Sequence, residues 1–110
     1  MRFLKPSEIV FAENKIEKEF NNLKETDEIK IYIKRAIKDI MQNAYSGTPL
    51  PKRLFPKEYI QKYKINNLWK YDLPDGWRLI YTITTPNKVE ILAVILEWFN
   101  HKEYERRFSY

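Results

Sequence analysis

The chain predicts a single α+β domain, and three observations carry that prediction. Two amphipathic helical stripes lie close together between residues 14 and 44. Three segments with strand character follow between Leu68 and Trp98, separated by turn signals at Pro74-Asp75-Gly76 and Pro86-Asn87. A short apolar, β-branched segment, Glu8 to Ala12, precedes the helices. Together they predict an N-terminal strand, an antiparallel helical hairpin packed on a curved, mainly antiparallel four-stranded sheet, and a short C-terminal helix. At 110 residues the chain supports one hydrophobic core, so residues 1–110 are read as one domain.

Each element has its own local reason. Asn14 with Glu17 three residues on fits a capping box, and Ile16, Phe20 and Leu23 fall on one helical face. Thr26-Asp27-Glu28 offers a second cap, with acids where the helix dipole favours them. Ile29, Ile33, Ile37, Ile40 and Ala44 then line one stripe until Gly47 and Pro49 stop the helix. Residues 45–66 carry Gly47, Pro49, Pro51 and Pro56 without a sustained period and read as a long irregular connection. Leu68 to Leu73 alternates as a strand, and Val89 to Trp98 is apolar on both faces, which predicts a central strand covered on both sides. Asn100 with Glu103 caps a last helix running through Phe108.

Composition narrows the chemistry. With no Cys and a single His, disulfides and thiolate metal sites are excluded and a His-based zinc site is not expected. No Gly-rich phosphate loop, serine triad or metal-ligand cluster is visible, so no cofactor is expected. Met1-Arg2-Phe3-Leu4-Lys5-Pro6 lacks the apolar core of a signal peptide and no run reaches membrane-spanning length, which predicts a soluble, cytoplasmic protein with no membrane partner. The formal charge is +5, and residues 1–66 hold 14 Lys or Arg against 9 Asp or Glu, while residues 67–110 hold six of each. Within the first part, Lys52, Arg53, Lys57, Lys62 and Lys64 face only Glu58, a segment that suits either a polyanion or plain solvation.

The run Gly76-Trp77-Arg78-Leu79-Ile80-Tyr81-Thr82-Ile83 lodges one arginine in a strand. Alternation puts Trp77, Leu79, Tyr81 and Ile83 on one face and Arg78, Ile80 and Thr82 on the other. Arg78 is then a planar cation on a sheet surface, suited to a phosphate or a carboxylate, with a salt bridge to Asp72 or Glu90 as the plain structural reading. Lys70 alternates onto the face opposite Trp69 and Tyr71, which brings it beside Arg78. Tyr63, Trp69 and Tyr110 read as core or surface aromatics rather than base platforms, and Glu97, Glu103 and Glu105 as solvated or capping residues.

The order of elements, the Gly-Trp-Arg-Leu-Ile-Tyr strand at 76–81 and the segment His101-Lys102-Glu103-Tyr104 resemble the RelE/ParE toxin superfamily over nearly the whole chain, from about Ile9 to Phe108. The resemblance implies the toxin of a type II toxin-antitoxin pair, held inactive by a cognate antitoxin protein. In the RelE branch such a toxin is an mRNA interferase, a metal-independent endoribonuclease that cleaves mRNA on the ribosome. The ParE branch poisons DNA gyrase, and a catalytically degenerate member would only bind a partner. Arg78 and Tyr104 lie where the RelE branch keeps a strand arginine and a C-terminal tyrosine, while Lys70 is a single lysine where that branch often has two.

RNA cleavage of that kind needs a cation, a base and an acid around a ribose 2′-OH attacking the adjacent phosphorus. Arg78 supplies the cation that grips phosphate oxygens. His101 carries the one imidazole, and a position at the start of the last helix disfavours imidazolium and suits a base. Tyr104 is read as a base-stacking or phosphate-binding group, or as packing for the terminal helix. Lys70 completes the catalytic set. Lys52, Arg53, Lys57, Lys62 and Lys64 are assigned to RNA and ribosome phosphates, with Arg106 and Arg107 either joining them or complementing the dipole of the last helix.

Overall fold

The structure, a computed structural model, describes residues 6–108. The stretch Met1 to Lys5 and Tyr110 lie outside the described residues. In chain order the elements are β1 (Glu8–Phe11), α1 (Asn14–Asn22), α2 (Glu28–Gln42), β2 (Thr48–Pro49), α3 (Lys57–Tyr63), β3 (Trp69–Asp72), β4 (Arg78–Thr84), β5 (Leu92–Phe99) and α4 (His101–Phe108). Short 3₁₀ turns occur at Ala44–Ser46, Lys52–Leu54 and Pro74–Gly76.

The α+β class holds, but the layout is richer than the expected one. Among the described residues the sheet has five strands in the order β1-β5-β4-β3-β2. It is mixed, because β1 pairs parallel to β5 while the other neighbours are antiparallel. The irregular connection expected over 45–66 is also corrected. It contains a two-residue edge strand, pairing Thr48 with Lys70 and Pro49 with Trp69, and the short helix α3.

Both faces of the sheet are covered. The isoleucine stripe of α2 buries Ile33, Ala36 and Ile40 against Leu79, Tyr81, Ile83, Ala93 and Ile95. On the opposite face α3 and α4 bury Tyr59, Tyr104 and Phe108 against Ile80, Leu96 and Phe99. The expected alternation along β4 therefore holds, with Leu79, Tyr81 and Ile83 on one side and Ile80 on the other. Arg78 is not displayed on an open sheet surface; it lies at the end of β4, beside α4. Strand β5 is interior and covered on both faces, with β4 in the middle of the sheet, and it starts later than expected, at Leu92.

A β-bulge decides what β5 presents to α4. Ile80 pairs with Glu97 and Tyr81 with Ile95, so Leu96 is the extra residue and it shares a face with Glu97. That turns the carboxylate toward Arg107, whose Nη1 lies 3.2 Å from Glu97 Oε1 and 2.9 Å from Glu58 Oε1. Glu97 is thus a half-buried ion-pair member, not the solvated residue expected, and burial raises its carboxyl above the ordinary range against the pull of Arg107.

The helix ends are fixed by specific bonds. Asp27 caps α2, its Oδ1 accepting from the Ile29 N–H at 2.9 Å, as the sequence predicts. The expected Asn14 cap is replaced by Glu13, which makes no side-chain cap bond. Its carboxylate accepts instead from the Tyr63 hydroxyl at 2.8 Å and pairs with Lys62 at 3.1 Å, which ties α1 to the end of α3. Buried Lys30 closes the other end of α1 by donating to the carbonyls of Leu23 and Asn21 at 2.9 and 3.4 Å and to Glu25 at 2.7 Å.

Hydrogen bonds from Lys30 and then Lys34 lower the Glu25 carboxyl from 4.5 to about 2. A depressed carboxyl contributes stability that is present above its unfolded value and lost as pH falls through the folded one. Between about pH 4.5 and 2 the melting-temperature gap between wild type and Glu25→Gln should therefore close. A gap that stays constant across that range contradicts the pairing.

Gly47 sits where a side chain has no room. A Cβ placed there would lie 2.6 Å from both the Lys70 carbonyl oxygen and the Tyr81 hydroxyl. That hydroxyl is committed, donating to the Ala44 carbonyl at 2.7 Å and accepting from the Gly47 N–H at 3.1 Å. Gly47→Ala should therefore cost about 2 kcal/mol in urea unfolding, by pushing β2 from β3 or by breaking the Tyr81 bonds. An unchanged midpoint would show that the segment shifts freely.

Candidate functional site

The β3–β4 hairpin carries the centre of the site. Asp72 pairs with Arg78 across the two strands, and Lys70 lies two residues before Asp72 on the same face. Turn residues Asp75 and Gly76 both take positive φ, 61° and 79°, which lets the chain reverse tightly just before Arg78. A Cβ on Gly76 would stand 3.1 Å from His101 Cβ, so the turn packs directly on the start of α4.

Arg78, Lys70 and Tyr104 come together. The Arg78 guanidinium carbon is 5.3 Å and the Lys70 ammonium 5.7 Å from the centre of the Tyr104 ring. The ring, 2% exposed, packs on Phe99 and Phe108 and fixes the floor on which the cations rest. The ring thus packs the terminal helix on the sheet, and a side chain so buried does not offer its face to an RNA base. One carboxylate oxygen, Asp72 Oδ1, serves both cations, at 2.9 Å from Arg78 Nε and 3.2 Å from Lys70 Nζ.

The charges are unequally held. Arg78 is 16% exposed and Lys70 20%, whereas Asp72 is 58% exposed and can swing toward water. Arg78 Nη1 donates to the Trp77 carbonyl at 3.2 Å. The buried Nε–H is not aligned on Asp72 Oδ1 despite the short separation, so the interaction is electrostatic and a hydrogen-bond donor is left without an acceptor. Two cations, one exposed carboxylate between them and one unsatisfied buried donor make an arrangement whose chemistry suits an anion.

His101 opens α4 beside this centre, and Arg78 pairs with Phe99 two residues earlier. The predicted cap is present, with Asn100 Oδ1 accepting from the Glu103 N–H at 2.9 Å. His101 Nε2 is 2.8 Å from Glu105 Oε1, one turn along. With its proton on Nε2, facing that carboxylate, a neutral ring would leave Nδ1 as the accepting nitrogen.

The expected RNA-binding cations divide into two groups. Lys52, Arg53, Lys57 and Lys64 are exposed with no carboxylate partner among the described residues, while Lys62 pairs with Glu13, Arg106 with Glu103, and Arg107 with Glu58 and Glu97. Arg53 and Lys57 line a cleft of about 420 Å³ with Phe55, Pro56, Arg107 and Phe108. Phe108 is one turn beyond Tyr104 on the same face of α4, with the two rings 4.8 Å apart, so this cleft is linked to the floor of the Arg78 centre through packed rings. Asp72 is the functional neighbour that the sequence suggests only as a salt-bridge partner. Its signal is the cross-strand position opposite Arg78.

Among the described residues no group of three or more His, Cys, Asp or Glu side chains gathers where it could hold a metal ion, and no helix is long and apolar enough to cross a membrane. No family model, no curated protein and no solved structure matches the chain.

Proposed function

We propose that this protein is an endoribonuclease toxin of the RelE/ParE type that cleaves mRNA on the ribosome and is silenced by a cognate antitoxin. The observation that carries the reading is the pair Arg78 and Lys70, held over a buried aromatic ring and sharing a single displaceable carboxylate oxygen. An incoming phosphodiester takes the place of Asp72 between the two cations and satisfies the Arg78 Nε donor.

The chemistry follows from that placement. The ribose 2′-oxygen forms a bond to phosphorus while the bond from phosphorus to the 5′-oxygen breaks, leaving a 2′,3′-cyclic phosphate and a 5′-hydroxyl. Negative charge grows on the non-bridging oxygens, where Arg78 and Lys70 oppose it in a site partly closed to water. His101 Nδ1, oriented by Glu105, accepts the 2′-hydroxyl proton, and the 5′-oxygen leaves with a proton from water or the ribosome. Lys52, Arg53 and Lys57 hold neighbouring phosphates and supply affinity without sequence choice.

The test is a translation reaction with purified components in which message ends are mapped with and without ribosomes. Cuts that require both the protein and ribosomes are the expected result. An intact message in the presence of folded protein overturns the nuclease reading and directs attention to gyrase inhibition.

A further inference from the structure

We propose a second RNA-binding place, a base-stacking groove at the opposite end of β3 and β4 from Arg78; it rests on the nuclease reading for its substrate. A groove of about 550 Å³ opens there between Tyr45, which follows α2, and the segment that follows α3. Tyr45 is 54% exposed and stands edge-on to Trp69 with ring centres 5.5 Å apart. Trp69 is in turn stacked on Tyr81 at 6.3 Å.

The wall behind these rings is rigid. Asn67 Oδ1 accepts from Trp69 Nε1 at 3.1 Å and from the Ile83 N–H at 2.9 Å, while its Nδ2 donates to the Ile83 carbonyl at 2.8 Å. The indole is therefore locked and loses little freedom when a flat ligand binds. The rim supplies Lys64, Asn66, Thr84 and Thr85, all exposed. Lys64 brings the only formal charge among the lining residues, whereas in the cleft of about 270 Å³ Glu13, Glu19 and Glu97 are matched by Lys15, Lys62 and Arg107. A flat aromatic face, amide and hydroxyl groups at its edge and one ammonium match a nucleobase with its phosphate.

The two places lie at opposite ends of β4 and on opposite faces of the sheet, Arg78 on the α4 side and Trp69 on the α2 side. Arg78 and Thr84 bound the same seven-residue strand, roughly 20 Å end to end at the usual rise. A single-stranded RNA several nucleotides long can hold its scissile phosphate at Arg78 and, passing round the sheet, stack a more distant base on Tyr45. Because stacking accepts any base face, the groove adds affinity with little sequence preference.

The experiment compares binding of a short oligoadenylate and an abasic ribose-phosphate chain of equal length, by fluorescence anisotropy, for wild type, Tyr45→Ala, Tyr45→Phe and Arg78→Ala. Tyr45→Ala should weaken oligoadenylate binding by about tenfold and leave the abasic chain unaffected. Tyr45→Phe should retain both affinities, and Arg78→Ala should weaken both chains alike. Oligoadenylate binding that is unchanged in Tyr45→Ala, or equal for the two chains in wild type, overturns the groove. Ribosome-dependent cutting by wild type combined with that result removes the groove alone. Loss of stacking in Tyr45→Ala without any message cutting by wild type removes the nuclease reading alone.

Discussion

Arg78→Ala should abolish most message cleavage, lowering the rate by about 10²- to 10³-fold, while the domain remains folded. The size follows from removing a preorganised donor aimed at charge that develops in the transition state. Lys70 remains, but its ammonium is a point charge and cannot reproduce a planar fork on two oxygens. The stability at stake is small beside that effect: the ion pair, with Asp72 58% exposed, contributes at most about 1 kcal/mol, and the guanidinium contact with the Tyr104 ring about 1 kcal/mol more. Retained activity in a folded variant would remove Arg78 from the chemistry. Lost activity accompanied by unfolding, read by circular dichroism, would remove the evidence for its catalytic role. Arg78→Lys separates charge from geometry, since it keeps the cation and loses the fork.

The second large effect is expected from Lys52, Arg53 and Lys57 replaced together by alanine. All three are exposed, none is engaged by a carboxylate among the described residues, and two of them line the cleft that meets α4 at Phe108. Each phosphate no longer neutralised should lower the slope of log affinity against log salt by about 0.7, so the triple variant should bind ribosomes with a slope flatter by about 2. Affinity should fall most steeply at low salt, where wild type has the most to gain from counterion release. Arg106 and Arg107, each tied to carboxylates, should contribute less when replaced. An unchanged slope would return the segment to the status of a solvated loop.

The legible parts of the fold are those where one local rule suffices. The α2 stripe, the alternation along β4, the Asp27 and Asn100 caps and the doubly covered β5 all follow from periodicity and side-chain chemistry within a few residues. What the sequence hides is non-local or too short to show a period. Helix α3 has seven residues, and its burial rests on Tyr59, which meets Phe108 at 6.4 Å across the fold. Strand β2 has two residues, one of them proline, and exists because β3 offers an unpaired edge. The parallel pairing of β1 with β5 joins segments more than eighty residues apart.

The same division runs through the site. Arg78 and Lys70 are brought together by strand alternation, which the sequence displays. Their shared carboxylate requires the register that sets Asp72 opposite Arg78. Tyr104 is visible in the sequence as a residue but not as a floor, because only the packing of α4 against Phe99 buries its ring. The role of Glu97 is hidden because a bulge in an evenly apolar strand leaves no mark in hydropathy, and it is the bulge that turns the carboxylate toward Arg107.

The chemistry of the RNA ends tests the central claim most directly. Messages cut by wild type on programmed ribosomes should carry a 2′,3′-cyclic phosphate on the upstream fragment and a 5′-hydroxyl on the downstream one, the products of 2′-oxygen attack at a phosphate held by Arg78 and Lys70. A downstream fragment bearing a 5′-phosphate, or no fragment at all from folded protein, would contradict it.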